Sequence, residues 1–209
     1  MSLTLHYAKG STATIPQLVI EEAELGYSLK ELVSSVSNEF LVKQALDLPS
    51  ARVPALEDGS LVVFETGAII LHLLTKPEIS YLAPTPGSAA YAKFLQWLFY
   101  LGSAPMMAIL EHAHPERWCV SEDDRFFLKR SAERRLTTQC DLLNANVADG
   151  QFLTYGFSVL DLFLTELARW SVEFELPMQS WSNLERIVEA TRARPAYQRM
   201  MDRQGITWP

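Results

Sequence analysis

The hydrophobic pattern of this chain changes type once, near Pro77, and that single change limits the folds open to it. Before Pro77, short runs of period two alternate with runs of period 3.6; after it only the longer period recurs. "LTLHYA", Leu3–Ala8, alternates like a strand and puts Leu3, Leu5 and Tyr7 on one face. "IPQLVIEEAELG" reads as a helix with Pro16 in its first turn and Gly26 as its stop. "YSLKELVSS" reads as a second strand, with Leu29 and Val33 facing inward, and "NEFLVKQALD" as a short helix. "VPALE" and "LVVFE" read as strands around Asp58-Gly59, a dipeptide that favours a tight hairpin. "TGAIILHLLT" reads as a helix that stops before Pro77. The order is βαβαββα.

The Pro-, Gly- and Ser-rich stretch "KPEISYLAPTPGS" reads as a linker. Beyond it, one helix is predicted from about Ala89 into the Met106 region, kinked at Pro105. A second starts at "SEDD", with Ser121 as N-cap and acids in its first turn, and runs to about Val147. "SVLDLFLTELARW", "SNLERIVEATRAR" and "PAYQRMMDRQ" complete the helical set. The expected architecture is α+β in two domains: an α/β domain over residues 1–76, a linker over 77–88 and an all-helical domain over 89–209.

Composition narrows the function. A net charge of -7 disfavours a general nucleic-acid or anionic-membrane binder, because both partners are polyanions. With 48% hydrophobic residues, the chain can bury a substantial core. The N-terminus lacks a charged segment followed by an apolar one, and Phe94–Leu110 is too short and too interrupted to span a bilayer, so a soluble cytoplasmic protein is expected. Cys119 and Cys140 are too few for a disulfide scaffold, and no Cys/His spacing suits a metal. His112 and His114 lie two apart, so on a helix their side chains diverge. Ser158 and Asp161 form a Ser-x-x-Asp capping box, a structural rather than a catalytic use of the acid. "ERR", Glu133–Arg135, reads as a solvated helix face.

Three features of Arg52–Leu74 do not fit a plain strand–turn–strand–helix unit. Pro54 sits where a strand should pair, Glu65 and Thr66 stand at the helix start, and Arg52 precedes the Val53-Pro54 step. "RVPALED", "FETGAIILHLL", "FLTYGFSVLDLFL" and "RARPAYQRMMDRQG", in that order, resemble four signature blocks of the cytosolic glutathione transferase family, of a bacterial beta- or theta-like type. The resemblance implies a thioredoxin-like first domain, a homodimer, bound glutathione, and attack by its thiolate on a small hydrophobic electrophile; the alternatives are a glutathione-dependent isomerase, dehalogenase or peroxidase on the same site, or a glutathione-binding or interaction protein without turnover. It also implies a cis peptide bond before Pro54.

Glutathione carries two carboxylates, one amine and one thiol, and the chain offers a group for each. A helix start at Thr66 supplies unpaired N–H groups and a hydroxyl to a carboxylate, and Glu65 can pair with the amine. The competing use of the pair is a plain helix cap. Val53, next to a proline without an N–H, can offer its own backbone groups to the ligand as an added strand would. Arg52 suits the glycyl carboxylate, with Lys43 and Gln44 as lesser candidates.

The thiol must also ionise. At a pKa of about 8.5, only about 3% is thiolate at neutral pH. Lowering it by about two units takes about 2.7 kcal/mol. One charge-assisted hydrogen bond supplies about 1.5–3 kcal/mol and a helix N-terminus about 0.3–1. Ser11 and Thr12, before the first helix, can provide that bond; Tyr7, on the strand, is the third candidate. The beta class carries a cysteine where Thr12 stands, so disulfide chemistry between glutathione and the protein is disfavoured. The electrophile is expected between the domains, against Phe99, Ser103, Met106 and Met107.

Overall fold

The computed structural model describes residues 3–32, 52–147, 152 and 156–209. Contacts divide the chain into two compact units, Met1–Leu82 with Arg194–Trp208, and Ala83–Ala193 with Pro209.

In the first unit a four-stranded sheet has the order β2-β1-β3-β4. It is formed by β1 (Leu3–Tyr7), β2 (Tyr27–Glu31), β3 (Ala55–Asp58) and β4 (Leu61–Phe64). β1 pairs parallel with β2 and antiparallel with β3, and β3 pairs antiparallel with β4. This is the thioredoxin-like sheet. The expected helix "NEFLVKQALD", Val33, Lys43 and Gln44 lie outside the described residues. "VPALE" enters the sheet only at Ala55, because Pro54 has no N–H for the ladder. The hairpin turn is Gly59-Ser60, one residue later than Asp58-Gly59, and Asp58 pairs with Leu61 as the last strand residue. Gly59 has φ +66, a conformation glycine takes without cost.

Helix α1 (Thr14–Glu22) ends before Gly26. Glu24 takes φ +52, its N–H donates to Glu21 O, and the Leu25 N–H donates to Ile20 O. The helix therefore closes with a Schellman motif built on Glu24. Residues Thr14 to Glu21 are all buried, packed against α2 (Thr66–Leu73) and the last helix, α7 (Pro195–Gln204). The sequence reading grouped α7 with the helical domain. It packs instead on α1, because its Arg194, Arg199 and Arg203 meet the Glu21 and Glu22 carboxylates while Ala196, Tyr197, Met200 and Met201 are buried.

The hairpin is tied to α2 by Asp58, whose Oδ2 accepts from Lys76 Nζ at 2.6 Å and from His72 Nε2 at 2.9 Å. These donors, Lys76 first, hold the Asp58 carboxyl below its ordinary value. The unfolded chain then binds the proton more readily. The stability from this tie is complete above the ordinary carboxylate pKa of about 3.9 and is lost as pH falls through the depressed folded value. Asp58→Asn is expected to cost about 1–2 kcal/mol at neutral pH and to flatten the acid limb of stability. Urea midpoints from neutral pH to about pH 3 check this; parallel wild-type and variant curves would refute it.

The second unit is helical: α3 (Ala89–Ala113), α4 (Glu122–Asn146), α5 (Val159–Trp170) and α6 (Ser182–Arg192). α3 runs well past Met106, with Pro105 inside it. The proline removes one N–H, but Phe94, Leu98, Leu101, Pro105, Ala108, Ile109 and His112 continue a buried stripe through it, and that packing carries the helix on. Ser88 and Ser121 cap α3 and α4 by accepting from Tyr91 N–H and Asp124 N–H. α5 begins with the expected capping box. Asp161 Oδ2 accepts from Ser158 N–H at 2.7 Å and from Ser158 Oγ at 3.0 Å, and burial pushes its carboxyl up to about 6.

"ERR" is not simply solvated. Arg135 bonds to Glu111, and Glu133 pairs with Arg130 at 3.0 Å and His112 at 3.4 Å. These contacts join α4 to α3. His112 is buried and stacked on Phe174 at 4.1 Å between centroids, whereas His114 pairs with Glu116 at 3.4 Å. No described helix is long and apolar enough to cross a membrane.

Candidate functional site

Strand register brings the N-terminal candidates to one end of the sheet. His6 lies opposite Ala55, and Ala55 lies opposite Phe64. The residues that follow β1, precede β3 and follow β4 therefore share an edge: the Gly10–Ala13 turn, Val53-Pro54 and Glu65-Thr66.

The turn after β1 is held by its own backbone. Ser11 N–H donates to Ala8 O at 3.1 Å, and Thr14 N–H to Ser11 O at 3.0 Å. Ser11 Oγ accepts from Ala13 N–H at 3.3 Å, which leaves its proton for another acceptor. Among the described residues, none pairs with the Thr12 hydroxyl. Tyr7 is different: it is 7% exposed, and burial together with the Glu31 carboxylate pushes its hydroxyl pKa up.

The Val53-Pro54 bond is cis. Arg52 is exposed and Val53 half-buried. At the end of β4, Glu65 takes φ 74 and ψ 123, a conformation that carries a steric cost for any residue with a Cβ. Its carbonyl accepts from Ile69 N–H at 2.9 Å, but its side chain makes no cap bond. Glu65, not Thr66, occupies the N-cap position, so neither side chain is used as the plain cap. Thr66, Gly67 and Ala68 begin the helix, where N–H groups have no intrahelical acceptor.

The four other candidates lie on α3 in the second unit. Phe99, Ser103 and Met107 recur every fourth residue and share a face, with Phe99 61% exposed. Ser103 Oγ donates to Phe99 O at 2.7 Å. Met106 is 6% exposed and belongs to that unit's core. Among the described residues, no group of three His, Cys, Asp or Glu could hold a metal ion.

Sequence reasoning missed Gln204. Gly10 N–H donates to Gln204 Oε1 at 2.9 Å, so α7 reaches the turn that carries Ser11 and Thr12. A contact between residues 194 positions apart leaves no local pattern to read.

A thioredoxin-like sheet with a cis-proline before β3 and a helix start beside it, joined in sequence to a helical unit, is the architecture of glutathione transferases. Residues 1–75 match the family described as glutathione S-transferase, N-terminal domain. It is 31% identical over 119 residues to the disulfide-bond oxidoreductase YfcG of Escherichia coli K12, an alignment covering 53% of this chain and 54% of that protein. The match thus spans about half the length of that curated relative. A glutathione transferase homologue from Sulfitobacter with bound glutathione has the same fold, with a TM-score of 0.86 at 21% identity, covering 99% of each chain. The beta-class glutathione S-transferase of Sphingomonas chungbukensis gives a TM-score of 0.82 at 20% identity, covering 98% of this chain and 100% of that one.

Proposed function

We propose that the chain binds glutathione at this end of the sheet and activates its thiolate for attack on small hydrophobic electrophiles. The observation that carries the reading is Glu65: a carboxylate in a costly backbone conformation, exposed, making no cap bond, at a helix start that offers N–H groups. Backbone strain of that kind persists where a site requires it. Glu65 would meet the ligand's amine, the Thr66 hydroxyl and the first N–H groups of α2 its γ-glutamyl carboxylate, and Arg52 the glycyl carboxylate. The Val53 backbone would pair with the cysteinyl residue.

Ser11 or Thr12 would donate to the thiolate, with Tyr7 third because a raised pKa makes a poorer donor to a thiolate. On an activated aryl halide, the sulfur forms the new C–S bond and the halide leaves with the electron pair. Phe99, Ser103 and Met107 are the proposed electrophile contacts on α3. The family resemblance supports a homodimeric, cytoplasmic enzyme.

A second reading rests on the YfcG similarity, namely glutathione-dependent reduction of a disulfide at the same site. The described cysteines lie in the helical unit and Cys140 is buried, so the attacking thiolate would come from glutathione.

Calorimetric titration with glutathione, and thiolate absorbance of the bound ligand against pH, test the proposal. Ser11→Ala or Thr12→Ala is expected to raise the bound thiol pKa by about one to two units, and Tyr7→Phe by much less. No binding would end the reading. Binding with an unshifted thiol would leave a binding protein without turnover. Faster turnover of a disulfide than of the aryl halide would select the second reaction.

A further inference from the structure

We infer that Gln204 is a positioning residue: through a one-directional hydrogen-bond relay anchored on Glu21, it holds the Gly10 backbone and so sets the Ser11 and Thr12 hydroxyls. The inference rests on the glutathione reading above for its chemical effect, but not for the relay itself.

The direction of the relay follows from donor chemistry. Gly10 N–H can only donate, so Gln204 must present its oxygen to it, at 2.9 Å. The Gln204 amide nitrogen then faces Gln17 Oε1 at 2.6 Å. That fixes the Gln17 nitrogen toward Tyr27 Oη at 2.8 Å. With its oxygen accepting, Tyr27 donates its proton to Glu21 Oε1. The carboxylate at the end is held by Arg199 Nε at 2.9 Å and Arg203 Nε at 3.3 Å, and the Arg203 guanidinium stands 4.6 Å over the Tyr27 ring.

Each bond polarises the next in the same sense, from a cation-bound carboxylate to a backbone amide. Burial and Glu21 push the Tyr27 hydroxyl well above its ordinary pKa, so it remains a donor at every working pH. Gln17 and Gln204 are 0% and 1% exposed, so no water competes for their amides. A reversed amide at either glutamine would set donor against donor or acceptor against acceptor, which is costly in a buried site. Gly10 itself takes φ +67, at the point where the chain turns from β1 toward α1. A fixed Gly10 amide therefore fixes the approach of the two residues that follow it.

The closing experiment compares Gln204→Met with Arg194→Met in the full chain. Arg194 ties the same helix to Glu22 through two bonds of 2.7 Å, to a carboxylate that is not a link of the relay. Two quantities are measured: amide hydrogen exchange at Gly10 without ligand, and ionisation of bound glutathione against pH. Gln204→Met is expected to speed Gly10 exchange about tenfold and to lower the thiolate fraction at neutral pH about three- to tenfold, the scale of one lost hydrogen bond. Arg194→Met should lower the melting temperature without either change.

Unchanged Gly10 exchange in Gln204→Met, or equal changes in both variants, would overturn the relay. Faster exchange with an unaltered thiol shift would overturn the positioning of the hydroxyls. Faster exchange in a protein whose wild type never shifts the thiol would support the relay and sink the glutathione reading instead. Should Gln204→Met fail to fold, Gln17→Met breaks the relay one link further away and is expected to move both quantities the same way.

Discussion

Glu65→Gly is expected to weaken glutathione binding by about 10- to 150-fold while leaving the protein as stable as before, or more so. The affinity loss is that of one charge-assisted hydrogen bond, about 1.5–3 kcal/mol. The stability side comes from the backbone. At φ 74 and ψ 123 a glutamate bears a steric cost of about 1–3 kcal/mol that glycine does not. Glycine's greater freedom in the unfolded chain returns about 1 kcal/mol of that. Most single substitutions destabilise, so a change that loses ligand without losing stability would mark Glu65 as kept for binding. Calorimetric titration and thermal melts of the two proteins test both halves. Unaltered affinity would remove Glu65 from the site, and a large drop in melting temperature would show that the glutamate holds the fold.

Glu21→Met is expected to destabilise the first unit by about 2–4 kcal/mol. Glu21 is 4% exposed and serves Tyr27, Arg199 and Arg203 together. Removing one partner from a buried charge cluster commonly costs about 3–5 kcal/mol, since the others are left unpaired. Here the Arg199 and Arg203 side chains are 37% and 48% exposed and water recovers part of that. Glu21→Gln keeps an acceptor for Tyr27 and should fall between. Urea midpoints measure the difference, and a loss below about 1 kcal/mol would show that the cluster is decoration.

Much of the fold was legible because its signals are local. The Gly59 turn, the serine caps of α3 and α4 and the Ser158 capping box each depend on a few adjacent residues, and each stands where the pattern put it, to within a residue. The errors have a common source. The end of α1 at Glu24 rather than Gly26, the survival of α3 past Pro105 and the ties of Glu133 and Arg135 are all decided by packing or by charges on another element. Within the candidate site, the residue types at Val53-Pro54 and Glu65-Thr66 could be read directly. The positive φ of Glu65 could not, because a glutamate carries no advertisement of left-handed backbone. Gln204 was beyond reach for a different reason: its partner is set by how the last helix packs.

That packing bears on how the protein is made. The unit that holds β1 also includes Arg194–Trp208, while Ala83–Ala193 forms a unit of its own between them. A ribosome releases the N-terminal strands first, and domains usually fold as they emerge. This one must wait. Until α7 has been synthesised, α1 lacks the cations for Glu21 and Glu22, and the Gly10 amide lacks its bond to Gln204. The turn that would activate the thiol is thus translated 194 residues before the glutamine that supports it, so a chain cut short before α7 would carry the candidate site's residues without that support.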